Sequence, residues 1–400
     1  MKVVRIVIVA VLLGIGAWMA IALSHVDADI GAPAGPDRLM GAIDSGAAAG
    51  KAAIARDILR EHPIDGRAFR VLAQAETDAA RADSFLAIAV RRAPRDRLTR
   101  TAAIDRAFAR GDVENGLLHL DALLRVAPGV REEMLQRLAG LLEHEEIQAA
   151  LLPRLEMAPN WRPALATVLK SPQVPAAPAA TLLEHLGKRT PLQPGEVHAY
   201  VTLLNRLGRN AEARRAWWQS LPLSVRSSDA NGLFDGGFEQ PDVAGGFGWR
   251  IGTQPGLTTA YDDIDPLEGA RSLVLDFDGR AVADLGVEQP LALRPGHYRL
   301  AAGVENNTSA ARPFLLEVAC QGAPVPQLSL ELPSATRTPD WQRSQGEFDV
   351  PAACSGQLLR LRLAARSLQE RMVSGTLRLD AIRLNPLGNQ GPQPAAQPLR

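Results

Sequence analysis

The chain has 400 residues, enough for two or three domains, and 46% of them are hydrophobic, so sizeable cores can form. Its 44 basic residues are matched by 44 acidic ones, for a formal net charge of +0. That balance argues against a nucleic-acid partner or an anionic-membrane surface, because both select for a basic excess.

The chain opens with MKVVRIVIVAVLLGIGAWMAIAL, in which Ile6 to Leu23 carries no charge. About 20 apolar residues span a bilayer, and Lys2 and Arg5 ahead of the run hold that end in the cytoplasm. Residues 1–25 are read as a transmembrane anchor, single-pass in a bacterial inner membrane, with the bulk of the chain periplasmic. A cleaved signal peptide is the alternative, since Ala20 and Ala22 offer a small-residue cleavage site. The apolar run, however, exceeds the roughly 7–15 residues of a signal core. Residues 26–36 (VDADIGAPAGP) read as a linker.

A helical region is expected over 37–222. It is rich in Ala, Leu and Arg and broken by proline at intervals. His62-Pro63, Ala93-Pro94, Ala127-Pro128 and Ala158-Pro159 lie 31, 34 and 31 residues apart. Proline cannot continue the helical hydrogen-bond ladder, so a period in the low thirties marks stacked helix-turn-helix units. Phe85, Leu86, Ala89 and Val90 share one helical face, and Leu117, Leu120, Leu123 and Leu124 share another. Arg110-Gly111-Asp112 supplies a Gly stop and an Asp start. The region resembles the tetratricopeptide repeats over about 40–220, through Ala68, Phe69, Ala73, Ala107, Ala213, the Leu207-Gly208 turn and the repeat-end prolines. It departs from them in lacking the Trp and Tyr of the first helix, and 160–195 holds too many prolines for a regular unit. A generic helical bundle is the alternative. The resemblance implies an α-solenoid with a surface for a protein partner.

Helical periodicity stops at Ser224–Asn231. Ser272–Phe277, His297–Val304, Phe314–Cys320, Leu358–Leu363 and Leu377–Leu384 read as strands. In Leu359-Arg360-Leu361-Arg362-Leu363 the leucines take one face and the arginines the other. Along Leu377–Leu384 the apolar parity slips at Asp380-Ala381, which predicts a β-bulge. Cys320 and Cys354, an even pair in an exported protein, are expected to form a disulfide. A Pro- and Gln-rich tail over 387–400 is expected to be disordered.

Residues 228–386 resemble a galactose-binding-like jelly roll of the carbohydrate-binding module type. Four segments carry the resemblance: Asn231-Gly232-Leu233-Phe234-Asp235-Gly236-Gly237-Phe238-Glu239 with Gly248-Trp249; Leu293-Arg294-Pro295-Gly296-His297-Tyr298; Asp340-Trp341 with Phe348-Asp349-Val350-Pro351; and Gly375-Thr376-Leu377-Arg378-Leu379-Asp380-Ala381-Ile382. The resemblance implies a structural calcium as a candidate ion, not a required cofactor, with Glu239 and Asp380 at the matching positions. Ala381 replaces the family's second Asp, and a capping or salt-bridged carboxylate pair is the alternative. It also implies sugar binding by stacking on aromatic rings. Trp249, Tyr261, Tyr298 and Trp341 are the candidate rings, with Trp249 and Trp341 also suited to a core. Tyr261 lies in the loop-like TTAYDDIDP beside Asp262, Asp263 and Asp265, read as a solvated acidic loop.

No catalytic set is found. His144-Glu145-Glu146-Ile147-Gln148 has Gln where a zinc protease needs its second His. The expected class is multidomain α plus β: an N-terminal transmembrane helix, an α-solenoid of tetratricopeptide-like repeats and a C-terminal jelly-roll β-sandwich. The expected function is non-enzymatic. It is a membrane-anchored periplasmic scaffold, with repeats on a periplasmic or inner-membrane protein and a sandwich docking glycan or protein, in exopolysaccharide or cell-surface glycan assembly. The alternative is a glycan-binding protein whose jelly roll carries the main activity.

Overall fold

The computed structural model describes residues 48–226, 229–230, 232–243, 245–335 and 340–387. The expected anchor at 1–25 and linker at 26–36 lie outside the described residues, as does the tail at 387–400 apart from Leu387, which ends a strand. Among the described residues no helix is long and apolar enough to cross a membrane. The chain forms two compact units, 1–196 and 197–400.

The first unit is helical: α1 (Ala48–Glu61), α2 (Gly66–Ala75), α3 (Ala79–Arg92), α4 (Arg97–Ala109), α5 (Val113–Val126), α6 (Arg131–Gly140), α7 (Glu145–Glu156), α8 (Arg162–Leu169), α9 (Ala176–Arg189) and the start of α10 (Pro194–Arg206). Pro63, Pro94, Pro128 and Pro159 each follow the end of a helix, of α1, α3, α5 and α7. Four helices begin alike, with an Asp side chain accepting a free backbone N–H of the first turn: Asp65 for α2, Asp78 for α3, Asp96 for α4 and Asp112 for α5. Neighbouring helices pack in sequence from α1 to α5. Beyond that the contacts skip one helix, joining α5 to α7, α6 to α8 and α7 to α9. The prolines of 160–195 do not break helices. Pro163 sits in the first turn of α8, Pro175 precedes α9, and Pro194 opens α10, positions where a missing N–H costs no hydrogen bond.

One ion pair is buried among these helices. Arg162 Nε and Nη2 donate to Glu196 Oε1 and Oε2 at 2.5 and 2.7 Å, and both side chains are 3% exposed. Glu196 Oε2 also accepts the N–H of Gln193 at 2.8 Å, and Arg162 Nη1 donates to the Leu155 carbonyl at 2.9 Å. The pair therefore ties the starts of α8 and α10 to the end of α7.

Among its described residues the second unit holds the rest of α10, then α11 (Asn210–Ser220), a short turn of helix (Leu223–Arg226) and twelve strands. These are β1 (Asp229–Ala230), β2 (Leu233–Phe234), β3 (Arg250–Ile251), β4 (Leu257–Asp262), β5 (Ser272–Ala281), β6 (Val287–Leu291), β7 (Gly296–Thr308), β8 (Phe314–Cys320), β9 (Leu328–Glu331), β10 (Gln342–Val350), β11 (Gln357–Leu363) and β12 (Met372–Leu387). β1 and β2 pair alone. The others form two antiparallel five-stranded sheets, ordered β10-β7-β12-β5-β4 and β3-β6-β11-β8-β9. From β5 to β8 and from β9 to β12 each connection crosses between sheets, and one apolar cluster draws Leu273, Leu275 and Leu377 from the first sheet and Leu316, Val318 and Leu361 from the second. That is a jelly-roll sandwich.

All five predicted strands are present. Of the strands the sequence reading missed, β4 and β10 are edge strands with few buried residues, while β6 is a short inner strand interrupted by Pro290. Residues 257–262 are thus strand where a loop was expected. The predicted bulge exists: the β12–β7 register shifts between Asp380 and Arg383, and Ala381 takes φ 49°. Cys320 and Cys354 form a disulfide across 34 residues, a closure worth about 3–4 kcal/mol in the loop-entropy account. The helices of this unit pack on the sandwich through Trp217, which meets Phe234 edge-on at 5.1 Å and Phe247 at 5.9 Å. Gly246 lies under that indole, where a Cβ would stand 2.2 Å from the ring.

Glu196→Ala leaves the Arg162 guanidinium buried without its partner and should lower the unfolding free energy by about 3–5 kcal/mol in urea denaturation. Glu196→Gln, which keeps the acceptor oxygen, should lower it less.

Candidate functional site

The sheet β10-β7-β12-β5-β4 has one face in the core and one outside it, and its register sorts the side chains. Thr259, Leu275, Leu377 and Asn306 lie in one row of the core face, and Tyr261, Leu273, Leu379 and Val304 in the next. The outer face holds Thr258, Asp276, Thr376 and Asn307 in one row and Ala260, Val274, Arg378 and Glu305 in the next. A third level adds Asp262 opposite Ser272, and Gly303 opposite both Asp380 and Arg343. Polar side chains dominate this outer face because it is not part of the sandwich core.

Arg378 organises it. Although outward in register, Arg378 is only 8% exposed. Its Nη1 donates to Glu305 Oε2 at 3.0 Å, and its Nη2 reaches Ser272 Oγ at 3.0 Å and the carbonyls of Ile264 and Asp265. Its guanidinium carbon lies 5.1 Å from the centre of the Trp341 ring, within cation–π range. The Trp341 indole N–H in turn donates to the Asp265 carbonyl at 3.1 Å. The 263–268 loop is thereby fixed over the third level, where Leu267 fills the space above Gly303: a Cβ there would come within 2.2 Å of it. Apart from Arg378, the first two rows, from Thr258 to Asn307 and along to Trp341, stay beside the loop with half-exposed or exposed side chains.

The sequence candidates separate accordingly. Trp341 belongs to the outer face. Tyr261 shares the core-side rows at the sheet's edge and is 38% exposed, so the two rings lie on opposite faces. Trp249 is 8% exposed, packs on Phe238 at 5.1 Å and donates its N–H to the Asp235 carbonyl at 2.8 Å. Tyr298 is 7% exposed, stacks on Phe348 at 5.9 Å and donates its hydroxyl to the Arg294 carbonyl. Both rings are core, so neither has a free face for a ligand. The acidic loop works structurally: Asp262 Oδ1 accepts the Ile264 N–H at 2.9 Å, and Asp265 takes φ 46° so that its carbonyl meets Trp341. Sequence reasoning passed over Arg378, Glu305, Thr376, Asp276 and Asn307. The Leu377-Arg378-Leu379 alternation marks Arg378 as outward, but which strands flank it is not written locally.

Glu239 and Asp380 lie either side of Gly237, whose Cβ would stand 3.8 Å from Glu239 Cγ and 3.7 Å from Asp380 Oδ1. Asp380 is fully buried and accepts the N–H groups of Glu268 and Ala381, while Glu239 Oε1 accepts those of Ala270 and Arg271. Asp235, 4% exposed, accepts the N–H groups of Glu239 and Gln240, both at 2.8 Å. Each carboxylate thus clasps a loop. Among the described residues no three His, Cys, Asp or Glu side chains converge as metal ligands. Burial raises both Asp235 and Asp380 above the usual 3.8, and the neighbouring carboxylates Glu239 and Glu268 add to it.

No family model matches the sequence, and no curated protein matches it. Solved structures similar to it include a family 4 carbohydrate-binding module, 14% identical with a TM-score of 0.28 over 40% of this chain and 99% of that one. A CBM61 module in complex with β-1,4-galactotriose is 15% identical, with a TM-score of 0.28 over 40% of this chain and 100% of that one. The CBM22-1 xylan-binding domain from Paenibacillus barcinonensis is 15% identical, with a TM-score of 0.25 over 35% of this chain and 85% of that one. At these TM-scores the likeness carries no argument about function; the sandwich assignment rests on the sheets themselves.

A carboxylate whose value is raised in the folded state contributes stability that is complete below 3.8 and is lost as pH rises through the raised value. Asp380→Asn cannot ionise. Its stability relative to the unaltered protein should therefore improve as pH is taken from 4 to about 7 in urea titrations with EDTA present. A difference independent of pH would refute the raised value.

Proposed function

We propose that this protein is a glycan-binding protein whose sandwich carries the binding activity, tethered outside the cytosol by its N-terminal segment and not an enzyme. One observation carries the reading. Trp341 is held at the side of an open, polar sheet face by an arginine that leaves it no freedom to collapse into the core. Sugars are recognised by an apolar ring face laid on an aromatic, with hydroxyls bonded to surrounding polar groups. Trp341 offers the first, and Asp276, Thr376, Asn307 and Glu305 the second. The Cys320–Cys354 disulfide supports an oxidising compartment, and so the exported location.

The helical unit enters as a protein-partner platform of tetratricopeptide-like kind. A cavity of about 240 Å³ there is lined by Leu86, Ala103 and Ala107 together with Arg106, Arg110 and His119. Recruitment of a periplasmic or inner-membrane partner by this surface, in exopolysaccharide or surface-glycan assembly, is the role that joins the two units.

A structural calcium belongs to the same proposal. The supporting chemistry is the donor set: Glu239 and Asp380 flank one glycine, and Asp235 and Asp380 bear charge that burial disfavours, which a divalent cation would stabilise. Glu239 and Asp380 would hold it with backbone carbonyls, as a clamp between the connection after β2 and the last strand, β12. Calcium at 1 mM should raise the melting temperature over that in EDTA, by binding only the folded state, and Glu239→Gln should abolish the difference.

The binding face is tested on a glycan array with the full-length protein. Trp341→Ala should weaken whatever the unaltered protein binds by about tenfold or more, the scale of one lost aromatic stack. Tyr261→Ala, on the other face, should leave it unchanged. Binding to no glycan, or a loss with Tyr261→Ala alone, would overturn the reading.

A further inference from the structure

The loop at 263–268 divides the outer face of the first sheet, and the two halves carry their charge differently. Beyond the loop Arg343 and Arg383 both turn to Glu268, the first at 3.5 Å. On the Trp341 side the positive charge is already spent. Arg378 gives Nη1 to Glu305 and Nη2 to Ser272 and two loop carbonyls. Its Nε is buried, and the Trp341 ring lies against the guanidinium. No open fork of N–H groups is left there for an anionic ligand. Further along the sheet Arg280 Nε donates to Asp278 Oδ2 at 2.8 Å, so that charge is matched too.

The carboxylates on this half are not matched in return. Asp276, exposed in the first row, meets only the Thr376 hydroxyl, at 3.3 Å. Glu305 gives one oxygen to Arg378 and is half-exposed. Asp265, whose carbonyl takes the Trp341 N–H, and Asp340, the residue before Trp341, are exposed and have no ion pair among the described residues. A ring fixed for stacking is thus set in negative charge. Glu305 lies on β7, the strand beside β10, into which Trp341 leads. Asp276 lies on β5, three strand positions from β10. At about 4.8 Å per position that is roughly 14 Å, more than one sugar ring covers. A ligand meeting both is a chain of sugars laid across the strands.

We infer that the Trp341 face selects glycans bearing free, protonated amino groups, such as oligomers of glucosamine, and rejects uronic acids. The inference rests on the glycan-binding reading of that face and adds the charge of its ligand. One ring stacks on Trp341, and ammonium groups along the chain donate to Glu305 and Asp276. A hydrogen bond from an ammonium to a carboxylate is about twice as strong as one between neutral groups. N-acetylation removes the charge, and a uronate would place like charges side by side.

Isothermal titration of the full-length protein at pH 6 tests this with four probes: the glucosamine tetramer, its N-acetylated form, the galacturonate tetramer and tetralysine. The glucosamine tetramer should bind about tenfold or more tighter than its N-acetylated form, and the galacturonate tetramer should not bind. Raising NaCl from 50 to 300 mM should weaken glucosamine binding, as should raising the pH to 9, since an amine of the α-amino kind loses its proton near about 8. Asp276→Asn, which keeps an acceptor for Thr376, should cost about fivefold for the glucosamine tetramer and nothing for the N-acetylated one. Equal and Trp341-dependent binding of the N-acetylated or galacturonate tetramer would overturn the inference and leave the glycan face standing. Glucosamine binding that survives Trp341→Ala unchanged would overturn both. Tighter binding of tetralysine than of the glucosamine tetramer would assign the face to a basic peptide and overturn the inference.

Discussion

The sandwich is organised by one strand that must serve two partners and both of its faces at once. β12 lies between β5 and β7, pairs with both over most of its length, and cannot keep a strict two-residue period throughout. Up to Leu379 its odd-numbered leucines face the core. Beyond the bulge Ile382 and Leu384 do, 3% and 2% exposed. A shift of one residue in a strand moves every later side chain to the opposite face, and here the bulge makes that shift deliberately. It lets β12 send apolar side chains into the core on both sides of the bulge while Asp380 turns to the loops.

From that strand the outer surface is arranged by a few buried polar groups rather than by packing. Arg378 fixes Trp341 and the 263–268 loop, and Asp380 anchors Glu268 in the same loop. Asp235 and Glu239 hold the connection after β2. A charged group out of water is costly unless each of its hydrogen-bonding atoms is met. The loops meet most of that need with backbone carbonyls and N–H groups, Arg378 Nε being left buried without a partner, and in doing so lose their freedom. The proposed glycan face is thus rigid before any ligand arrives, which lowers the entropic cost of binding.

The helical unit uses a different device for the same end. Its small alanines allow close approach of helices, and its Asp caps repeat at the starts of α2 to α5 because the free N–H groups there need acceptors. The Arg162–Glu196 pair adds directional contact where proline-led helices begin.

Much of this was legible in the residues themselves. Proline intervals, Asp caps, the leucine–arginine alternation of β11, the parity slip at Asp380 and the cysteine pair are local signals, because each reflects a constraint felt within a few residues or a simple chemical pairing. The binding surface was not legible in the same way. By sequence Tyr261 stands in a polar, loop-like stretch as the better exposed candidate, while Trp249 and Trp341 are equally suited to a core. Only strand order and register place Trp341 over Arg378, 37 residues further along the chain, and Tyr261 on the other side of the sheet, opposite Leu273. A sequence determines which way each side chain points along its own strand; which other strand lies across from it is decided by how the whole sheet buries its apolar face.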